Sequence, residues 1–175
     1  MSCGLMIGRF QPFHNGHLKL AHQILKECEE LIIAVGSSQF NYTFSNPFTA
    51  GERIYFIHDS LVESKIDLRR VYIVPILNLE NNAIWFQHLK SMLPKFDSIY
   101  SGNKFVLALL SHTSDNYSVR TPIFYNENDC NGTNIRMNIV MDKEWKNFVP
   151  NAVYRIISDL DGIRRIKILF ETQRD

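Results

Sequence analysis

The stretch GRFQPFHNGH, residues 8–17, brings Arg9, Gln11, His14 and His17 close together, with the two imidazoles three positions apart. Donors at that density suit a strongly anionic ligand, because a hydrogen bond to a charged group contributes more than one between neutral partners. From Gly16 onward Leu20, Ala21, Ile24, Leu25 and Cys28 follow helical spacing, opposite Lys19, Gln23, Lys26 and Glu27. The donors therefore stand at the amino end of a helix, where unpaired backbone N–H groups and the helix dipole already favour negative charge. Gly16, without a Cβ, lets a ligand approach the backbone between the rings. Either imidazole alone would read as surface decoration; the pair, with Arg9 upstream, reads as an anion site.

The flanking pattern says which elements position this loop. Residues 3–8, CGLMIG, and 31–36, LIIAVG, are short apolar runs bounded by glycine and predict buried strands around the helix, a βαβ unit. Thr49 and Glu52 have capping-box spacing ahead of Ile54, Ile57 and Leu61, which predicts a second helix. Further strands are predicted over 71–77, where Pro75 suits a strand end, over 98–102 and over 119–125. Helices are predicted over 83–93, 103–110, 133–141 and 151–160, with one more short helix from Ile163. Such alternation means an α/β fold with a mostly parallel sheet and helices on both faces. Ligands of such sheets bind beyond the carboxyl ends of the strands, where strand order reverses, and the GRFQPFHNGH loop follows the first strand.

Composition narrows the partners. At 175 residues, 45% hydrophobic and 21% charged, the chain fits one globular domain. Its net charge of +1 supplies no global field for nucleic acid or a membrane surface, so anion recognition must be local. Cys3, Cys28 and Cys130 lie far apart with no CxxC pair, against a zinc site or disulfide framework and in keeping with a reducing cytoplasm. No apolar run approaches the ~18–20 residues a membrane span needs, and no export signal is evident.

His14-Asn15-Gly16-His17 matches the HxGH signature of the nucleotidyltransferase superfamily, and the longer GRFQPFHNGH resembles the form found in archaeal-type nicotinamide mononucleotide (NMN) adenylyltransferases. Four more segments resemble that family in order: GSSQ (36–39), NPFTAGER (46–53), NNAIW (81–85) and YSGN (100–103). A fifth, NGTNIR (131–136), sits where the superfamily has a Ser/Thr-rich stretch ending in arginine. A GxGxxG dinucleotide fingerprint is absent, so NAD as a tightly held redox cofactor is not indicated.

The resemblance implies a Rossmann-like nucleotidyltransferase core over residues 1–130, with five or six strands, and a helical segment of the same domain over 131–175. It implies direct adenylyl transfer from ATP to NMN, giving NAD and pyrophosphate in a cytoplasmic homo-oligomer, a hexamer by that resemblance, without nucleic-acid or membrane partners. Mg²⁺ would be held by ATP phosphates and water, with no protein side chain as ligand. By match of position, His17 would bond the α-phosphate, His14 the neighbouring ATP phosphates, Arg9 the phosphate junction of the two substrates, and Arg136 the β and γ phosphates. Gly8, Gly16, Gly102, Asn103 and Thr133 would complete the ATP site. On the NMN side the resemblance implies Phe10, Gln11, Ser37, Gln39, Asn82 and Trp85. Taken alone, NAIW equally fits a core tryptophan at a helix start; in the family setting, Trp85 would stack on the positively charged nicotinamide ring.

The chain departs from the family where cations are usual. Ser45 precedes NPF, Met137 and Asn138 follow Arg136, Asn131 replaces a serine, and the preceding loop holds Glu127 and Asp129 with no basic residue. Weaker ATP binding or slower turnover is the expected consequence. The same departures keep two alternatives in view: a sister HxGH enzyme acting on another phosphate acceptor, and a catalytically weak nucleotide-binding regulator. His22, His58, His88 and His112 match no motif; Asp59 and Asp67 read as solvated; Tyr55 and Phe56 read as core or subunit contacts.

Overall fold

The protein is described by a computed structural model covering residues 2–111, 117–123 and 131–173. Five strands, β1 (Cys3–Gly8), β2 (Glu30–Val35), β3 (Val71–Pro75), β4 (Ser98–Tyr100) and β5 (Ser118–Arg120), form one sheet in the order β3-β2-β1-β4-β5. Every pairing is parallel. Seven α-helices accompany it among the described residues: α1 (Asn15–Glu27), α2 (Ala50–Glu63), α3 (Trp85–Met92), α4 (Lys104–Ser111), α5 (Gly132–Val140), α6 (Asn151–Asp159) and α7 (Gly162–Glu171).

The apolar runs behave as a sheet covered on both faces requires. Along β2, Leu31, Ile33 and Val35 enter one core cluster while Ile32 and Ala34 enter the other, the period of two that a strand imposes. The first cluster joins Met6 and Tyr100 of the sheet to Ile24 of α1, Phe56 of α2 and Val153 and Ile157 of α6. The second packs Leu5 and Ile99 against Phe86 and Leu89 of α3 and Val106 and Leu110 of α4. Helix α6 packs on α2 and α7 on α5, and both enter the first cluster through Val153, Ile157 and Ile166. No described helix is long and apolar enough to cross a membrane.

Local signals explain most boundaries. The Glu52 N–H donates to Thr49 Oγ1 at 3.2 Å and the Thr49 N–H to Glu52 Oε2 at 2.9 Å, so the capping box forms. Pro75 closes β3, two residues before the predicted end. β4 stops at Tyr100 instead of 102. The strand predicted over 119–125 is shorter still: β5 ends at Arg120, and Pro122, without an N–H, cannot extend the ladder. Residues 124 and 125 of that prediction, like Cys130, His112, Glu127 and Asp129, lie outside the described residues.

Strand order reverses between β1 and β4, neighbours whose connections run to opposite edges of the sheet. That reversal sets the location of the site.

Candidate active site

A cavity of about 270 Å³ opens at the carboxyl ends of β1 and β4. The amino ends of three helices border it: His14, Gly16 and His17 at α1, Ser101 to Asn103 leading into α4, and Asn131 to Thr133 at α5. Each turns the positive end of a helix dipole toward the cavity. Among the described residues no aspartate or glutamate lines the cavity. The charged side chains that line it among the described residues, Arg9 and Arg136, are both cations.

The two histidines are fixed by the start of α1. His14 is its N-cap, and the His14 backbone N–H donates to Nδ1 of His17 at 3.2 Å. A nitrogen that accepts carries no hydrogen, so neutral His17 holds its proton on Nε2 and remains a donor. Around the His17 ring stand Phe10, edge-on at 4.8 Å, and Phe13, stacked at 5.4 Å. Burial lowers the His14 pKa to about 4, and burial together with the His14 ring takes His17 well below its ordinary value. At neutral pH the pair therefore offers neutral hydrogen bonds, and the positive charge at the cavity comes from arginine.

Arg136, buried on α5, donates from Nη1 to the Gln11 carbonyl at 2.6 Å and from Nη2 to Thr133 Oγ1 at 3.3 Å. The Phe44 ring lies 5.4 Å from its guanidinium. Burial, then the charge of Arg9, lowers its pKa to about 10, which leaves it a cation. These contacts are neutral, so its charge stays available to an anion. Close backbone approach holds α5 here: a Cβ on Gly132 would fall 2.7 Å from the Gln11 carbonyl oxygen.

Phe10 has φ of 53°, a left-handed conformation that costs a bulky residue on the order of 1–3 kcal/mol. Its ring is fully buried, and a Cβ on Gly8 would meet it at 2.8 Å. Gln11 spends its side chain on Phe48, with Nε2 donating to the Phe48 carbonyl at 2.8 Å and Oε1 accepting its N–H at 3.0 Å. That amide pair ties the HNGH loop to the NPFTAGER segment.

Residues 5–138 match the cytidylyltransferase-like family. The chain is 46% identical over 167 residues to the nicotinamide-nucleotide adenylyltransferase of Caldivirga maquilingensis, covering 95% of this chain and 93% of that protein. It is 43% identical over 165 residues to the Methanococcus aeolicus protein of the same name, covering 94% and 93%. The chain belongs to the nicotinamide-nucleotide adenylyltransferase family. Its fold agrees with a Francisella tularensis bifunctional NMN adenylyltransferase/ADP ribose pyrophosphatase, with TM-score 0.82 at 21% identity over 99% of this chain. The chain spans 54% of that longer protein.

In this adenylyltransferase, Arg9, His14, His17 and Arg136 meet at the cavity together with Gly8, Gly16, Gly102, Asn103 and Thr133. Phe10 and Gln11 line it too. Ser37, Gln39, Asn82 and Trp85 do not; they follow β2 and β3 along the same carboxyl edge. Ser37 is buried, and Gln39 bonds the backbone of Asn78 through both ends of its amide. Asn82 is exposed, and Trp85, half-buried at the start of α3, packs on the second core cluster.

The unmatched candidates take ordinary places. His58 pairs with Asp59 at 2.8 Å, and His88 faces the Leu77 carbonyl at 3.2 Å. Asp67 is exposed as expected, caps a short 3-10 turn and pairs with Arg69 at 2.7 Å. Phe56 is core, whereas Tyr55 is 64% exposed.

Sequence reading passed over Arg53, the last residue of NPFTAGER. It is fully buried and donates only to backbone carbonyls, including that of Arg9. An arginine inside an otherwise amphipathic helix was the available signal.

Proposed function

We propose that the enzyme joins ATP to NMN by in-line displacement. A 5′-phosphate oxygen of NMN attacks the α-phosphorus of ATP, the bond to the bridging oxygen breaks, and pyrophosphate leaves as NAD forms. The phosphate nucleophile is already ionised near neutral pH, so the reaction needs no general base. It needs two anions held in line and charge stabilised on the α-phosphoryl and leaving oxygens.

The observation that carries this reading is a cavity with three helix amino ends, two arginines, an Nε2 donor on His17 and, among the described residues, no carboxylate. His17 then donates to an α-phosphate oxygen, His14 lies beside the ATP phosphates, and Arg9 spans the junction of the substrates. Arg136 supports the β and γ phosphates and the departing pyrophosphate. Gly8, Gly16, Gly102, Asn103 and Thr133 bound the ATP side. Phe10, Gln11, Ser37, Gln39, Asn82 and Trp85 bound the NMN side, with Trp85 stacking on the pyridinium ring.

Among the described residues no cluster of three acidic, histidine or cysteine side chains is arranged to hold a metal. A divalent ion, Mg²⁺ in this reading, enters on ATP as part of the substrate. Exposed Tyr55 and Val62 on α2 suit a subunit contact in a homo-oligomer, which light scattering on the purified protein would size.

The deciding experiment incubates the purified chain with ATP, Mg²⁺ and NMN, and follows NAD and pyrophosphate. Equal amounts of both are expected. Product only with a different phosphate acceptor would assign the chain to a sister activity, and ATP binding without any product would make it a regulator.

A further inference from the structure

Arg53 is 0% exposed and has no carboxylate partner among the described residues. Its Nη1 donates to the carbonyls of Arg9 and Gly36, both at 2.8 Å. Nη2 donates to Ser37 O at 3.1 Å, and Nε to Thr49 O at 3.2 Å. One guanidinium thus gathers the ends of β1 and β2 and the N-cap of α2. A rigid five-donor fork suits this task, and a lysine ammonium does not.

Two of those acceptors adjoin unusual backbone. Phe10 and Ser37 have φ of 53° each, in the left-handed region that side-chain-bearing residues rarely adopt. The Arg9 carbonyl belongs to the peptide plane leading into Phe10, and the Ser37 carbonyl is that residue's own. Holding the first plane orients Phe10, whose ring lies edge-on to His17. It also fixes the point from which the Arg9 side chain departs toward the cavity. Arg53 itself does not line the cavity.

We propose that Arg53 is a positioning residue of the adenylyl-transfer site: its four carbonyl bonds hold Phe10 and Ser37 in left-handed conformations and thereby set Arg9 and His17. This rests on the function proposed above, and it goes beyond fold stability because it demands coupling between Arg53 and Arg9.

The test is a double-mutant cycle with Arg53→Lys and Arg9→Ala, read in kcat and KM for ATP, with urea midpoints measured alongside. Lysine keeps the charge but cannot hold four acceptors. Folded Arg53→Lys should lose about 10²-fold in kcat, the scale of a 1 Å misplacement, with KM for ATP changed less. Arg9→Ala should then cost roughly a tenth as much in that background as in the wild type. Arg53→Met, lacking charge and donors, should match the lysine variant in kcat. The proposal fails if folded Arg53→Lys keeps wild-type kcat, or if Arg9→Ala costs the same factor in both backgrounds. It fails as well if neither Arg53 variant folds, since the residue is then structural. Should the wild type make no NAD, the function reading falls, and the same cycle is read in calorimetric ATP affinity. There, coupled losses support the positioning role and additive losses, or no ATP binding at all, refute it.

Discussion

The His17 ring lies over the His14 ring with centroids 3.5 Å apart and planes inclined by 22°, while its Nδ1 accepts the His14 N–H. Two imidazoles so close cannot both be protonated without strong repulsion, and His14 is buried besides. The arrangement keeps them neutral and fixes which nitrogen of His17 donates.

Stability should consequently fall in mild acid. The His14 pKa is about 4 in the folded protein, against 6.5 ordinarily, and His17 is also lowered. The unfolded chain then binds more protons than the folded one between these values, so stability present above about pH 6.5 is lost as pH falls toward 4. From pH 7 to pH 5, His14 alone should account for about 2 kcal/mol. Urea denaturation at the two pH values checks this, with His14→Asn, which retains a capping side chain, expected to flatten the dependence. A midpoint unchanged between pH 7 and pH 5 would show that the pair titrates normally.

Removing the donor should slow the chemistry more than it weakens binding. His17→Ala is expected to lower kcat about 10²–10³-fold, as loss of one preorganised donor to developing charge does elsewhere, with KM for ATP changed only modestly. Steady-state NAD formation at saturating NMN measures it. A variant that alters KM alone would place His17 in ground-state binding.

How far the sequence carries this site depends on what each residue bonds. The HNGH loop is legible because helical spacing begins at Gly16, which puts His14 and His17 at a helix amino end. The order of strands and helices was legible for the same reason, since the apolar runs change period between elements. The neutrality of the histidines was not, because it arises from stacking and burial that spacing does not encode. Gln11 reads as a ligand contact in the string, yet its amide is committed to Phe48, thirty-seven positions away. Arg53 was missed because its acceptors are backbone carbonyls, which leave no residue-type signature.

Gly132 should be intolerant of even a methyl group. A Cβ there would stand 2.7 Å from the Gln11 carbonyl oxygen and 3.2 Å from Arg136 Nη1, so α5 must shift away from the HNGH loop. Gly132→Ala is expected to destabilise by about 1–3 kcal/mol, the usual scale for overpacking. It should also raise KM for ATP by displacing Arg136. Thermal unfolding and ATP titration read the two effects, and an alanine variant with wild-type values in both would mean the loop yields freely.

Trp85 offers a test of the NMN side alone. It lies outside the cavity bounded by Arg9, His17 and Arg136, at the start of α3 beyond β3. If its indole receives the pyridinium of NMN, the contact is cation–π in character, on the order of 0.5–2 kcal/mol. Trp85→Ala should then raise KM for NMN about 3- to 30-fold and leave ATP affinity unchanged. A purely structural tryptophan, packed on the second core cluster, would instead lower the urea midpoint and shift both constants together. Trp85→Phe sharpens the distinction, since it keeps an aromatic face while shrinking the packed volume. Recovery of the NMN constant by phenylalanine without recovery of stability assigns the ring to the substrate, and the reverse assigns it to the core.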